Sequence, residues 1–229
     1  MVSLSSQSKK LGEKMSNMQS WKQNVGSIID YAERIFPEVE IVTRSLSGEI
    51  VKSNYGQVAK RAKKLGSALE SYGIKHGQNV GSLALNTYRN MEMYYGISGM
   101  GAVMHTINFR LHPEQVVYII NHAENRIIFL ETVFAPLLEA IQANCPTVEQ
   151  YVLLCSKEEM PETQLKNAIS YEEFIEDGNE EYEWPELGED APCGLCYTSG
   201  TTGNPKGVLY SHKSTLLHAW ACLLYTSPS

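Results

Sequence analysis

Between Tyr197 and Gly207 the chain reads Tyr-Thr-Ser-Gly-Thr-Thr-Gly-Asn-Pro-Lys-Gly, which gathers the hydroxyls of Thr198, Ser199, Thr201 and Thr202, the glycines 200, 203 and 207, and Lys206 into one loop. Glycine lets backbone N–H groups approach an anion closely, hydroxyls donate stronger hydrogen bonds to a charged acceptor, and a lysine adds a compact positive charge. That set of groups suits a polyphosphate. It is not the Walker loop, which needs Gly, four residues, then Gly-Lys-Ser/Thr opening a helix. Here Lys206 is followed by Gly207 and the β-prone run Val208-Leu209-Tyr210, so the loop is expected to join two strands, the first being Gly194-Leu195-Cys196-Tyr197. The plain alternative is a glycine-rich hairpin that binds nothing, since the same residue types dominate ordinary turns, but a hairpin needs far fewer hydroxyls.

A strand, a phosphate loop of this composition and a second strand followed by Ser211-His212 resemble the signature of the AMP-forming adenylate ligases, the family of acyl-CoA synthetases, luciferases and peptide-synthetase adenylation domains. A second stretch is similar to the early region of medium- to long-chain fatty acyl-CoA synthetases. It runs His105-Thr106-Ile107-Asn108-Phe109-Arg110-Leu111, then Pro113-Glu114-Gln115 and Tyr118-Ile119-Ile120-Asn121-His122-Ala123. One departure stands in it: Phe109 occupies a position where the family usually has proline, which would fix φ and stiffen the turn. The likeness runs from about Trp21 to Ala221.

The resemblance implies an ATP-dependent, AMP-forming acid–CoA ligase of fatty acid metabolism. A small-molecule carboxylic acid reacts with Mg-ATP to give acyl-AMP, and CoA then takes the acyl group. By the same resemblance Lys206 and Thr198 are the catalytic residues. Thr198, Ser199, Gly200, Thr201, Thr202, Gly203, Lys206 and Gly207 hold the ATP phosphates, and Thr198 is also the Mg²⁺ ligand. His212, at the family's Ser/Thr-His position, is expected either to hold the loop by a hydrogen bond or to touch substrate. The implied fold is α/β, a partial N-terminal large domain with a mostly parallel sheet and flanking helices, and a homodimer is allowed.

Residues 1–20 read as a disordered leader, 21–221 as the first half of the AMP-binding domain, and 222–229 as a non-native tail similar to a translated library adapter. On that division the fragment is truncated and inactive by itself, and the activity belongs to its parent. Two other readings stay open. One is an adenylating relative that acts on a short or sulfur-containing acid or loads a carrier protein; the other is a non-catalytic nucleotide-binding module.

Composition narrows the field. In 229 residues, 43% are hydrophobic and 20% charged, with no apolar window of the roughly 18 residues that spans a membrane. The N-terminus lacks the apolar core of a secretory signal, and five cysteines form no convincing disulfide framework, which points to a cytoplasmic protein. The net charge of −7 and the lack of a basic patch argue against nucleic acid. Half of the 26 acidic residues fall between Glu158 and Asp190, a density expected of a solvated connector rather than a site. Cys193 and Cys196 have metal-site spacing without a second pair and read as small buried apolar residues. His76, His105, His112, His122 and His218 show no metal-ligand spacing.

The elements that must carry the loop can also be read. Ile41–Arg44 and Ile50–Ser53 look like a small hairpin. Val58, Ala62, Leu65 and Leu69 recur at helical spacing in a helix from near Asn54 to Tyr72, with Gly73 as its stop. Strands are expected at 80–85, 102–106, 126–130 and 150–154, and helices at 87–98, 113–121 and 133–143. Such alternation calls for a mostly parallel sheet with helices on its faces.

Overall fold

A computed structural model of the chain describes residues 23–45, 48–198 and 204–226. The expected leader at 1–20 lies outside these residues.

An N-terminal helix α1 (Val25–Ile35) leads into an antiparallel ribbon, β1 (Glu40–Arg44) with β2 (Ile50–Asn54), and into α2 (Tyr55–Tyr72). Helix α2 forms where the pattern required it. The Asn54 side chain caps its first turn by accepting from the Gln57 N–H, Val58, Ala62, Leu65 and Leu69 are buried, and Gly73 ends it at φ 92°, in the left-handed region.

The main sheet then builds in sequence from β3 (Asn79–Leu83), α3 (Tyr88–Gly99), β4 (Val103–Thr106), α4 (Pro113–His122), β5 (Ile127–Leu130), α5 (Ala135–Ile141) and β6 (Gln150–Leu153). It is completed by β7 (Ala168–Ser170), α6 (Tyr171–Ile175), β8 (Pro192–Thr198), β9 (Lys206–Ser211) and α7 (His212–Thr226). The seven strands lie in the order β7-β6-β5-β3-β4-β8-β9. Every pairing is parallel except β8 with β9, so the expected mostly parallel α/β sheet is the one observed.

Its two faces are covered separately. Val116, Ile119 and Ile120 of α4 and Leu138 and Ile141 of α5 pack on one. Leu65 and Leu69 of α2, Met93 and Ile97 of α3 and Tyr171 of α6 pack on the other. Among the described residues, no helix is long and apolar enough to cross a membrane.

The acidic stretch differs from its expected role as a solvated connector. Glu180, Glu181 and Glu183 do face solvent, but the same stretch supplies β7 and α6, and Tyr171 is fully buried. Trp184 anchors it: its Nε1–H donates to Asp30 Oδ1 at 3.0 Å while the ring lies against glycines. A Cβ at Gly99 would come within 2.8 Å of that ring and one at Gly66 within 2.9 Å, so only glycine admits the indole at these contacts. Charge density hid these few apolar anchors.

A partly buried ionic network joins α6 to its neighbours. Arg61 of α2 donates from Nε to Glu92 Oε1 at 2.7 Å and makes a fork to Glu172 at 2.9 Å on each arm. Arg89 donates to Glu172 at 3.1 and 3.2 Å and to the Leu154 carbonyl. Glu92 is fully buried; desolvation raises its carboxyl above the usual range despite the pull of Arg61. Burial opposes the charge on Arg61 as well, yet its bonds to Glu172 and Glu92 hold the guanidinium above its ordinary value. The network ties α2, α3 and α6 together.

Candidate functional site

The glycine-rich loop leaves the sheet at the end of β8 and returns on β9, so it joins two antiparallel strands as its composition required. Thr198 and Lys206 are the last register pair of this ribbon, with Tyr197 opposite Gly207 behind them. The Thr198 hydroxyl reaches toward the Lys206 carbonyl at 3.5 Å. Thr198, Lys206 and Gly207 are all exposed, and the structure thus brings together one hydroxyl, one ammonium group and one glycine at the loop's base. Ser199, Gly200, Thr201, Thr202 and Gly203 lie outside the described residues.

This arrangement fits a polyphosphate and a hard cation in its chemistry: among the described residues no carboxylate pairs with the exposed Lys206, and Thr198 offers an oxygen donor. No group of three or more His, Cys, Asp or Glu side chains that could hold a metal occurs among the described residues. A magnesium ion here would rest on the Thr198 hydroxyl together with the phosphate oxygens of its nucleotide.

Tyr197 anchors the ribbon from one side. Its hydroxyl meets His122 Nδ1 of α4 at 2.6 Å, and its ring tilts against that of His105 with centroids 5.1 Å apart. His105 sits on β4 with no exposure, and its Nδ1 meets Asn125 Oδ1 at 2.7 Å, which requires the proton on Nδ1 as placed. Burial, opposed only by that hydrogen bond, lowers the imidazole pKa to about 4.

The folded state therefore binds fewer protons at His105 than the unfolded chain between its ordinary pKa and about 4, so the group favours folding above that window and the advantage is lost as pH falls through it. Moving from pH 7 to pH 5 should cost about 2 kcal/mol from this residue at roughly 1.36 kcal/mol per unit. Urea midpoints measured at both pH values check this, and His105→Gln should show a shallower acid loss than the parent chain. Equal slopes would contradict it.

His212 has a partner that neither expected role named. It is fully buried at the start of α7, and its Nδ1 accepts from the Val25 N–H at 3.2 Å. It thus holds the first amide of α1, satisfying one of the unpaired N–H groups that every helix start presents. Desolvation lowers its pKa, which keeps the ring neutral for that acceptor role. Sequence spacing gave no sign of a partner 187 residues away.

The two cysteines feeding the loop are engaged separately. Cys193 is buried, its thiol pushed up by burial and 3.4 Å from the Thr215 hydroxyl, while Cys196 Sγ lies 3.1 Å from Thr106 Oγ1. The reading of Cys193 as a small buried apolar residue agrees with its place. His122 was passed over with the other histidines; the available signal was its i, i+4 relation to Tyr118 on α4, on whose ring it stacks at 5.4 Å.

Residues 32–227 match the family model described as AMP-binding enzyme. The chain is 46% identical over 196 residues to a 3-methylmercaptopropionyl-CoA ligase of Ruegeria pomeroyi, covering 86% of this chain and 36% of the relative. It is 43% identical to a medium-chain-fatty-acid–CoA ligase of Ectopseudomonas oleovorans, covering 85% of this chain and 36% of that protein. Among solved structures, an anthranilate CoA ligase in complex with anthranoyl-AMP superposes with a TM-score of 0.78 at 27% identity, over 88% of this chain and 37% of its own. The chain spans little more than a third of the length of the relatives it matches. With the match over most of its length and the loop standing between two antiparallel strands, the chain belongs to the family of AMP-binding enzymes.

Proposed function

We propose that this chain is part of an AMP-forming acyl-CoA ligase that activates a carboxylic acid with ATP and transfers the acyl group to CoA. The observation that carries this reading is the identity of 43–46% with two CoA ligases over more than four-fifths of the chain.

A free carboxylate is a poor electrophile. Its attack on the α-phosphorus of ATP gives a mixed anhydride, acyl-AMP, and releases pyrophosphate; attack by the CoA thiol then gives the thioester and AMP. The work assigned to this chain's residues is electrostatic. The Lys206 ammonium and the hydroxyls of Thr198, Ser199, Thr201 and Thr202 bind the β- and γ-phosphates and stabilise the negative charge of the departing pyrophosphate. Thr198 also presents its oxygen to the magnesium ion that travels with ATP, which neutralises phosphate charge. Gly200, Gly203 and Gly207 admit the backbone close to the phosphates and let the loop open after each turnover. The five free cysteines suit a reducing, cytoplasmic compartment.

Two acids are favoured by particular relatives: a medium-chain fatty acid and 3-methylmercaptopropionate. CoA thioester formation by the full-length protein, measured with both acids at equal concentration, separates them by the ratio of kcat/KM. Thioester with neither acid, in the presence of ATP, magnesium and CoA, would overturn the proposal.

A further inference from the structure

We propose that His122 is a positioning residue for the loop: through its bond to Tyr197 it fixes the end of the β8–β9 ribbon on which Thr198 and Lys206 stand. This inference rests on the reading of the loop as the pyrophosphate-binding element.

The geometry runs in one chain of contacts. His122, at the last position of α4, is stacked on Tyr118 with an interplanar angle of 29° and bonds the Tyr197 hydroxyl at 2.6 Å, the imidazole and phenol rings standing nearly perpendicular. The Tyr197 ring then lies over Gly207 on the facing strand. A methyl group added at Gly207 would come within 3.3 Å of Tyr197 Cζ and 3.1 Å of Leu195 Cδ1, so the missing side chain is what gives the ring its seat. Lys206 and Thr198 are the neighbours of this pair in the ribbon.

The strand pair needs such a tie. Val208, Leu209 and Tyr210 of β9 are exposed, and the contact from the Thr198 hydroxyl to the Lys206 carbonyl at the ribbon's end is long at 3.5 Å. Helix α4, by contrast, is held by Val116, Ile119 and Ile120 in the core. A hydrogen bond from that helix to the ring that rests on Gly207 transmits the rigidity of the core to the residues beside the phosphates. Either nitrogen tautomer makes the bond, as donor to the phenol oxygen or as acceptor of its proton. Catalysis by oriented charge loses rate when the charge is free to wander, which is the route by which a residue without substrate contact can matter.

The test uses carboxylate-dependent ATP–pyrophosphate exchange by the full-length protein. Removing this one exposed hydrogen bond is expected to lower the exchange kcat by about 2- to 12-fold, with the KM for the acid unchanged. His122→Ala and Tyr197→Phe should lose similar amounts, the second keeping the ring and deleting only the hydroxyl. The double variant should be no slower than the worse single, because both remove the same bond. His122→Asn, whose amide nitrogen can occupy the Nδ1 position, should recover part of the rate. Wild-type rates in both single variants, or losses that multiply in the double variant, would overturn the assignment. Absence of exchange in the unsubstituted protein is a different result: it would sink the ligase reading and this inference together, before any variant is compared.

Discussion

Replacing Lys206 by alanine in the full-length protein is expected to lower the rate of acyl-adenylate formation by about 10- to 150-fold, the equivalent of one charge-assisted hydrogen bond of roughly 1.5–3 kcal/mol. The lysine stands exposed at the first position of β9, opposite Thr198, where it can follow a phosphate into the loop. Because pyrophosphate gains charge as it leaves, the interaction strengthens toward the transition state, so the loss should fall mainly on kcat. Lys206→Arg should recover only part of it, since a planar guanidinium places its charge differently from a compact ammonium. Single-turnover formation of acyl-AMP with ATP in excess measures the step. A Lys206→Ala protein that reacts at the unsubstituted rate would remove this residue from the site.

The second large effect concerns the scaffold. Arg61→Ala should destabilise the fold by about 3–5 kcal/mol, the usual cost of leaving a buried charge without its partner. Glu92 has no exposure and depends on the bond from Arg61 at 2.7 Å. Against the roughly 5–15 kcal/mol that holds a typical domain together, a loss of this size is a large share of the total. Removing both charges together, as Arg61→Met with Glu92→Leu, should cost much less than the single change, because the penalty arises from the orphaned carboxylate rather than from the lost attraction. Urea midpoints of the three proteins decide the matter. A single variant within about 1 kcal/mol of the parent chain would show that the network carries little of the stability.

Both effects depend on features of unequal legibility. The loop could be read because its chemistry is local: glycines, hydroxyls and a lysine act within eleven residues, and the β-prone run after Lys206 placed it between strands. Helix α2 was equally open, since its buried stripe, its Asn54 cap and its Gly73 stop all lie in one continuous segment. Helix α1 was missed although Asn24 caps it by accepting from the Ser27 N–H and Val25, Ile28, Ile29 and Ala32 recur at helical spacing. The helix expected at 133–143 is real only over Ala135–Ile141, flanked by tighter 3₁₀ turns at Thr132–Phe134 and Gln142–Asn144.

What the residues could not disclose was long-range pairing. Arg61 meets Glu172 across 111 positions, His122 meets Tyr197 across 75, and His212 meets Val25 across 187. None of these leaves a periodic trace. Glu172 was also hidden by its neighbours, since a run dense in carboxylates reads as solvated surface even where one of them is gripped by two arginines. The folded sheet order, which sets β8 beside β4, is what brings α4 and its histidine to the loop.

The measurement that bears most directly on the central claim is carboxylate-dependent exchange of labelled pyrophosphate into ATP by the purified full-length protein, run with magnesium and without CoA. Reversible adenylation predicts label in ATP only when an acid is present, loss of exchange when magnesium is chelated, and a sharply reduced rate in Lys206→Ala. Label that enters ATP without any acid, or no label with either a medium-chain fatty acid or 3-methylmercaptopropionate, would contradict the assignment of this chain to an acid-activating ligase.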